Sequence, residues 1–111
     1  MELNRGDIYL VNFNPAKGGE MGKLRPAVIL SRKEENSIFN TVIVVPFSTM
    51  IVEDSQPYRY KITERDKLEK ISDACIYEIR SLSQDRLKLK LGVLTQIELK
   101  EIQKLLCKIV T

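Results

Sequence analysis

The sequence predicts a mainly β (α+β) fold, in which five or six short strands form a small barrel-like domain and one α-helix ends the chain. Three observations support this prediction. Runs of β-branched and aromatic residues recur at close spacing through most of the chain, and turn-forming residues separate them. Only the last segment repeats its apolar residues at helical spacing. A length of 111 residues fits one domain spanning 1–111.

The first half of the chain contains three predicted strands. "IYLVNF" (8–13) is rich in β-branched and aromatic residues and meets an Asn-Pro turn. "PAVILS" (26–31) and "TVIVVPF" (41–47) are continuous apolar runs, which is typical of central strands that are buried on both faces. The polar stretch between them is predicted as a loop or short turn. Pro46 inside so apolar a strand indicates a sheet edge or a bulge there.

The second half contains three more predicted strands. "YRYKI" (58–62) and "RLKLKL" (86–91) alternate apolar and charged residues. "DACIYEIR" (73–80) is predicted as one continuous strand between them. Simple alternation along it places three side chains inward, Cys75, Tyr77 and Ile79. The same alternation places Glu78 and Arg80 together on the outward face.

The last element is a predicted helix with a recognisable start. Thr95 and Glu98 fit a capping box, with Thr95 as the N-cap and Glu98 at the third helical position. Apolar residues then recur on one stripe, Leu99, Ile102, Leu105, Leu106 and Ile109. We therefore expect three to four turns of helix packed on the sheet.

Composition limits the chemistry that the chain can perform. Without any histidine, it lacks the commonest general acid/base and the commonest metal ligand. Cys75 and Cys107 lie too far apart in sequence for a zinc or redox motif, and both are expected to be buried free thiols. We therefore expect no metal site and no cofactor. A net charge of +3 permits a nucleic-acid partner without requiring one.

The sequence contains no membrane or export signal that we recognise. No apolar run approaches the ~18 residues of a membrane span. The beginning of the chain has neither a basic leader nor a small-residue cleavage site. The expectation is a mature cytoplasmic protein without a membrane partner.

A glycine-rich loop precedes the second predicted strand. Three of the five glycines lie in "GGEMG" (18–22), and a hairpin turn that needs positive φ is a sufficient explanation for them. A turn alone does not explain Arg25, which stands directly before Pro26 at the strand's start. Proline holds the preceding residue extended, and a fixed guanidinium can grip phosphate with two parallel hydrogen bonds. An anion site is therefore the second interpretation of this loop.

Two other predicted strands end in hydroxyl residues. Ser48 and Thr49 follow the apolar strand 41–47, and Arg80 with Ser81 repeats the combination of a cation and a hydroxyl. Hydroxyl residues are also common turn formers, so the pattern is compatible with a purely structural role.

Three segments in order resemble one known family. "RGDIYLVNFNPAKGGEMGKLRPAVIL", "TVIVVPFST" and "IYEIRSLSQDRL", followed by the capped helix, are similar to the MazF/PemK-type toxins of bacterial toxin–antitoxin pairs. The resemblance covers nearly the whole chain. It implies an SH3-like β-barrel of the CcdB/PemK toxin type with a C-terminal helix, and a homodimer. The implied activity is a sequence-specific, metal-independent endoribonuclease, an mRNA interferase that cleaves single-stranded RNA by 2′-hydroxyl attack and is neutralised by a cognate antitoxin.

The resemblance also implies roles for individual residues. Arg25 matches the family's catalytic loop arginine, Ser48 its strand-end hydroxyl, and Glu20 its loop glutamate, which is a possible base or a group that orients Arg25. The residues expected to contact RNA are Lys17, Gly18, Gly19, Lys23, Thr49, Glu78, Arg80 and Ser81.

The chain departs from the family pattern at three positions. Tyr77 replaces an acid that some members use, Gly19 stands where some place an active histidine, and Cys75 stands where one branch has a catalytic arginine. Two other functions remain open at this point, a non-catalytic CcdB-like DNA gyrase poison and an SH3-like binding module. A gyrase poison has no need for an arginine and a hydroxyl in one cleft, whereas a nuclease does.

Overall fold

The structure is a computed structural model that describes residues 2–14 and 23–111. Within these two stretches the chain forms seven strands, two α-helices and two short 3-10 turns. The elements in chain order are β1 (Asp7–Asn12), β2 (Leu24–Ile29), α1 (Lys33–Ile38), β3 (Thr41–Ser48), β4 (Arg59–Ile62), β5 (Ser72–Cys75), β6 (Arg80–Ser83), β7 (Leu87–Val93) and α2 (Gln96–Val110). The 3-10 turns are Ile76–Glu78 and Gln84–Arg86.

The strands form one antiparallel sheet in the order β4-β5-β3-β2-β1-β7, and β6 also pairs with β3. The mainly β class with a terminal helix is therefore confirmed. In the described part of the chain no strand pairing closes the sheet between β4 and β7. Hydrogen bonds from the β4–β5 connection reach β7 instead: the Lys67 N–H donates to the Leu91 carbonyl at 2.9 Å, and Arg65 Nη1 donates to the Val93 carbonyl at 3.3 Å.

Two apolar clusters lie on opposite faces of β3. Val45 and Phe47 belong to a cluster that α2 covers with Leu99, Ile102 and Leu105. Val42 and Val44 belong to a second cluster, which includes side chains from β1, β2, β6 and β7. Alternate side chains of a strand point to opposite faces, so β3 buries both faces from Val44 onward, whereas Thr41 and Ile43 at its start are exposed, contrary to the prediction for the whole run 41–47.

Pro46 lies where β3 changes its partner. The first part of β3, residues 41–44, pairs with β6, whereas Phe47 and Ser48 pair with β5. On its other side β3 pairs with β2, so Pro46 is on neither edge of the sheet, contrary to the expectation of an edge. Proline has no N–H to donate, and it stands at the interruption between the two ladders.

The predicted strand 73–80 is wrong as a continuous element. β5 ends at Cys75, a 3-10 turn follows, and β6 begins at Arg80, because the chain must turn to reach the first part of β3. Cys75 is buried and Ile79 is half-buried, as expected. Tyr77 instead is 70% exposed and packs edge-on against Tyr58, with ring centroids 5.8 Å apart.

The stretch predicted as a loop or turn contains the short helix α1. The Asn36 side chain holds this helix against the sheet, because its amide nitrogen donates to the carbonyls of Leu3 at 2.9 Å and Ser31 at 3.1 Å. The Ser31 hydroxyl donates to the Asn36 oxygen at 2.5 Å. A buried amide with all of these partners stabilises a helix too short to persist alone.

The predicted capping box and apolar stripe of α2 are confirmed. The Thr95 hydroxyl accepts from the Glu98 N–H at 3.1 Å, and the Glu98 carboxylate accepts from the Thr95 N–H at 2.8 Å. Both terminal nitrogens of Arg65 also contact the Glu98 carboxylate, one of them at 2.7 Å. Cys107 on this helix is exposed, so the expectation of two buried thiols holds only for Cys75.

Of the helices in the described residues, neither is long and apolar enough to cross a membrane.

Candidate functional site

Arg25 and Ser48 lie at the same end of neighbouring strands. The β2–β3 register pairs Ala27 with Pro46. Arg25 lies two residues before Ala27, and Ser48 lies two residues after Pro46. Because the strands are antiparallel, these two steps lead to the same end of the sheet, and a step of two residues keeps the side chain on the same face. Arg25 also pairs directly with Val11 on β1. The loop arginine and the strand-end hydroxyl predicted from the sequence therefore share one face.

Ser48 is a buried hydroxyl with one identified partner. It is 6% exposed, and its oxygen accepts from the Met50 N–H at 3.2 Å. A serine hydroxyl can donate one hydrogen while it accepts others. Within the described chain no acceptor takes the Ser48 hydrogen, so this hydroxyl can donate to a bound anion.

Asp73 is the buried carboxylate next to this hydroxyl. It pairs directly with Ser48 across β3 and β5, and its side chain is 3% exposed. One carboxylate oxygen accepts from the Val52 N–H at 2.8 Å and from Arg59 Nη1 at 3.3 Å. Arg59 Nη1 also donates to the Met50 carbonyl at 2.9 Å. The buried charge is therefore paired, and it ties the segment after β3 to the sheet.

Cys75 is a buried thiol on β5 beside Arg59. It pairs directly with Arg59 across β4 and β5. Burial raises the pKa of the Cys75 thiol to about 11, and the nearby charges of Arg59 and, more weakly, Arg25 act in the opposite direction. The thiol is therefore neutral at physiological pH and is not an activated nucleophile.

Arg80 approaches the site from β6. It pairs with Val44 of β3, and its guanidinium carbon lies 5.8 Å from the centroid of the Phe13 ring. This is a cation–π arrangement. The Phe13 N–H donates to the carbonyl of Lys23 at 2.9 Å, which holds the end of β1 beside the start of β2.

The remaining predicted residues lie at different places. Lys23 and Thr49 are exposed, and Glu78 is half-buried. Ser81 follows Arg80 directly in β6 and pairs with Ile43, so alternation places it on the opposite face from Arg80. Four predicted residues lie outside the described residues, Lys17, Gly18, Gly19 and Glu20.

Two charged residues at the site were not selected from the sequence, Asp73 and Arg59. One signal was available for Asp73, since a carboxylate in a short apolar stretch, "SDACI", needs a partner if the strand is buried. Arg59 gave no such signal, because a cation in an alternating strand is ordinarily solvated. Its role depends on the β4–β5 register, which the sequence does not reveal.

Comparison with known proteins places the chain in one family. The family model for the PemK-like, MazF-like toxin of type II toxin–antitoxin systems matches residues 4–110. The chain is 36% identical over 101 residues to "Endoribonuclease MazF" of Staphylococcus saprophyticus subsp. saprophyticus, covering 90% of this chain and 84% of that one.

Solved structures support the same fold. A crystal structure of MazF from Deinococcus radiodurans superposes with a TM-score of 0.84 at 21% identity, covering 99% of this chain and 97% of that one. The Mycobacterium tuberculosis toxin MazF-mt6 gives 0.76 at 16% identity, with 92% and 93% covered. A mycobacterial endoribonuclease in complex with its cognate antitoxin gives 0.73 at 20% identity, with 98% and 93% covered. On the strength of the family model and the Staphylococcus relative, the chain belongs to the PemK-like, MazF-like toxin family of type II toxin–antitoxin systems.

Proposed function

We propose that this chain is a sequence-specific, metal-independent endoribonuclease that cleaves single-stranded RNA, such as mRNA, by attack of a 2′-hydroxyl on the adjacent phosphate. The endoribonuclease class is that of the Staphylococcus relative, and it holds for this chain through the family. The chemistry, the residue roles and the partners are our proposal.

One geometric observation carries the proposal. Arg25 and Ser48, which are far apart in sequence, lie on the same face at the same end of β2 and β3. A guanidinium and a hydroxyl together supply several donors to the oxygens of one phosphate. A protein that only binds another protein has no need for this convergence, so it favours the nuclease over a non-catalytic gyrase poison or a plain binding module.

Each residue has a distinct role in the proposed reaction. Arg25 holds the scissile phosphate and stabilises the charge that develops on it in the transition state. Ser48 donates its free hydrogen to the same phosphate or to the attacking hydroxyl. Glu20 is the candidate base, or it orients Arg25, and its role is a prediction because it lies outside the described residues. Guanidinium is an unsuitable acid at neutral pH, so Arg25 acts as a clamp.

The remaining predicted residues would bind flanking nucleotides. Arg80 is the best placed of them, because its contact with Phe13 fixes a cation near the same face. The other proposed RNA contacts are Lys17, Gly18, Gly19, Lys23, Thr49, Glu78 and Ser81.

Two protein partners belong to the proposal. The mycobacterial relative was solved with its cognate antitoxin. We expect this chain to be neutralised by a cognate antitoxin whose flexible segment covers the RNA site. A second copy of the chain would form a homodimer. In the described sheet β4, β6 and β7 each pair on one side only, and exposed edges favour association unless they are covered.

The products of the reaction test the proposal directly. The protein is incubated with single-stranded RNA in excess EDTA, and the fragments are identified by mass spectrometry. We expect a 2′,3′-cyclic phosphate, or the 3′-phosphate formed when it opens, together with a 5′-hydroxyl end. The 2′-hydroxyl supplies the nucleophile, so no metal-bound water is needed.

A matched substrate with 2′-deoxyribose at the cleavage position is the control. It should resist cleavage, because it lacks the attacking group. Cleavage of the deoxy substrate at a similar rate would show that water is the nucleophile. The absence of any RNA cleavage, with trapped gyrase–DNA complexes instead, would support the gyrase poison.

A further inference from the structure

The Arg59 side chain is anchored at only one of its nitrogens. Nη1 donates to the Asp73 carboxylate at 3.3 Å and to the Met50 carbonyl at 2.9 Å. Within the described chain no hydrogen bond occupies Nε or Nη2. The guanidinium side chain is 24% exposed, whereas Asp73 is 3% exposed. One edge of the planar group is therefore fixed, while the other donors remain accessible.

Arg59 faces the same side of the sheet as the candidate catalytic hydroxyl. It pairs with Cys75, which is two residues from Asp73 along β5, and Asp73 pairs with Ser48. Direct partners and residues two apart share a face. β4 and β3 are separated by β5, so the backbones of Arg59 and Ser48 are about 10 Å apart or slightly more, from two strand spacings.

Arg59 also lies in a polar cavity of about 420 Å³ next to this face. The segment 52–56 and Lys61 line the cavity together with Arg59 and Asp73. Its acidic side chains are compensated in part, since Lys61 pairs with Glu53 at 2.9 Å and Arg59 pairs with Asp73. Only one nitrogen of Arg59 contacts the Asp73 carboxylate, so a lysine at this position would be sufficient to neutralise that charge. The planar fork of arginine offers further donors in the geometry that suits phosphate.

We propose that Arg59 is a second phosphate-binding residue of the RNA site, which grips a phosphate next to the scissile one, and that Asp73 is the positioning residue that holds it. This proposal rests on the endoribonuclease function described above. Arg25 and Ser48 hold the scissile phosphate, and Arg59, on the second strand from Ser48, holds its neighbour. A contact to a flanking phosphate is made equally in the ground and transition states, so it lowers KM and leaves kcat unchanged.

The experiment compares variants on modified oligonucleotides. Each substrate has one ribonucleotide at the cleavage position, 2′-O-methyl nucleotides elsewhere, and one flanking phosphate replaced by an uncharged methylphosphonate. For the wild type, one methylphosphonate position should raise KM roughly ten-fold, as expected for the loss of one charge-assisted hydrogen-bond pair. In Arg59→Lys the KM for the unmodified substrate should rise similarly, and that same methylphosphonate should then have little further effect.

A second variant guards against a folding defect. Arg59→Gln combined with Asp73→Asn removes both charges together, so no unpaired carboxylate is left buried. The double variant should fold and should show the same rise in KM as Arg59→Lys. For binding to a non-cleavable deoxy analogue, the slope of log affinity against log salt concentration should become shallower by about 0.7, the value for one phosphate contact on single-stranded nucleic acid. Lys100→Ala, which removes an exposed cation on α2, is the control and should leave KM and the methylphosphonate pattern unchanged.

The outcomes separate this proposal from the function on which it depends. If the wild type cleaves the RNA but Arg59→Lys and the double variant show the wild-type KM at every methylphosphonate position, Arg59 is structural and the proposal fails. If kcat falls with KM unchanged, Arg59 does not bind a flanking phosphate and the proposal also fails. If the wild type cleaves no RNA and does not bind the deoxy analogue, the endoribonuclease function itself fails.

Discussion

Ser48 and Asp73 are direct partners across the antiparallel β3–β5 pair, so the proposed catalytic hydroxyl lies beside a buried carboxylate. The same two residues anchor the segment that follows β3. The Met50 N–H donates to Ser48, and the Val52 N–H donates to Asp73. The segment and the hydroxyl are therefore held by one hydrogen-bonded unit, and changes to either residue should affect both.

Arg25→Ala should abolish RNA cleavage and toxicity while the fold persists. The side chain is half-buried at the end of β2, so its loss should change the free energy of unfolding by no more than about 1 kcal/mol. Arg25→Lys should also be a poor enzyme, because an ammonium group cannot make the two-point contact of a guanidinium. Cleavage assays and thermal unfolding of the purified variants measure both effects. A large loss of stability would identify Arg25 as a structural residue instead.

Ser48→Ala should lower kcat markedly, because the phosphate loses a hydrogen-bond donor. Ser48→Thr should remain active, since it keeps the hydroxyl. Thr49→Ala, one residue further along, is the comparison variant, because Thr49 is exposed and is a proposed RNA contact, so its loss should weaken RNA binding without slowing the chemical step. Single-turnover cleavage of an RNA oligonucleotide separates the three. Wild-type rates in Ser48→Ala, with a slow Thr49→Ala, would transfer the role to Thr49.

The two cysteines should differ in reactivity. Burial raises the pKa of Cys75 to about 11, so its thiol stays protonated, whereas Cys107 is exposed. Only the thiolate reacts with iodoacetamide. At mildly alkaline pH the native protein should gain one adduct, at Cys107, and a second at Cys75 only after denaturation. Peptide mass spectrometry checks the sites, and rapid labelling of Cys75 in the native protein would contradict the burial described here.

Glu98 should contribute a stability that depends on pH. Its hydrogen bonds with Arg65, and more weakly the Thr95 N–H, hold its pKa below the usual 4.5. A carboxylate with a lowered folded-state pKa stabilises the fold above its unfolded pKa, and this contribution is lost as the pH falls through the folded value. Glu98→Gln retains a capping side chain but loses the ion pair, and we expect a cost of about 2 kcal/mol at neutral pH.

Urea unfolding of wild type and Glu98→Gln at neutral pH and at about pH 3 measures this contribution. The difference between the two proteins should shrink at the acidic pH, while RNA cleavage at neutral pH stays unchanged because Glu98 lies on α2, outside the proposed site. A difference that is constant with pH would show that the ion pair with Arg65 is not its source.

Local signals explain why much of the fold was predictable. Thr95 and Glu98 hydrogen-bond to each other within one helical turn. The apolar stripe from Leu99 to Ile109 packs on one face of the sheet. The apolar run 41–47 indicates burial on both faces of the strand, which holds from Val44 onward. Arg25 before Pro26 restricts a single backbone position. In each case the physical cause lies within a few residues of the pattern, so the sequence by itself determined it.

Partnership between distant strands was decided only by the tertiary structure. Two ladders share β3 and separate at Pro46, so the chain bends after Cys75 and exposes Tyr77 where alternation predicted burial. Register then sets Asp73 beside Ser48 and Arg59 beside Cys75. A shift of one residue would turn every side chain of a strand to the other face, and nothing within β4 or β5 alone specifies that shift, because register depends on packing against the whole sheet.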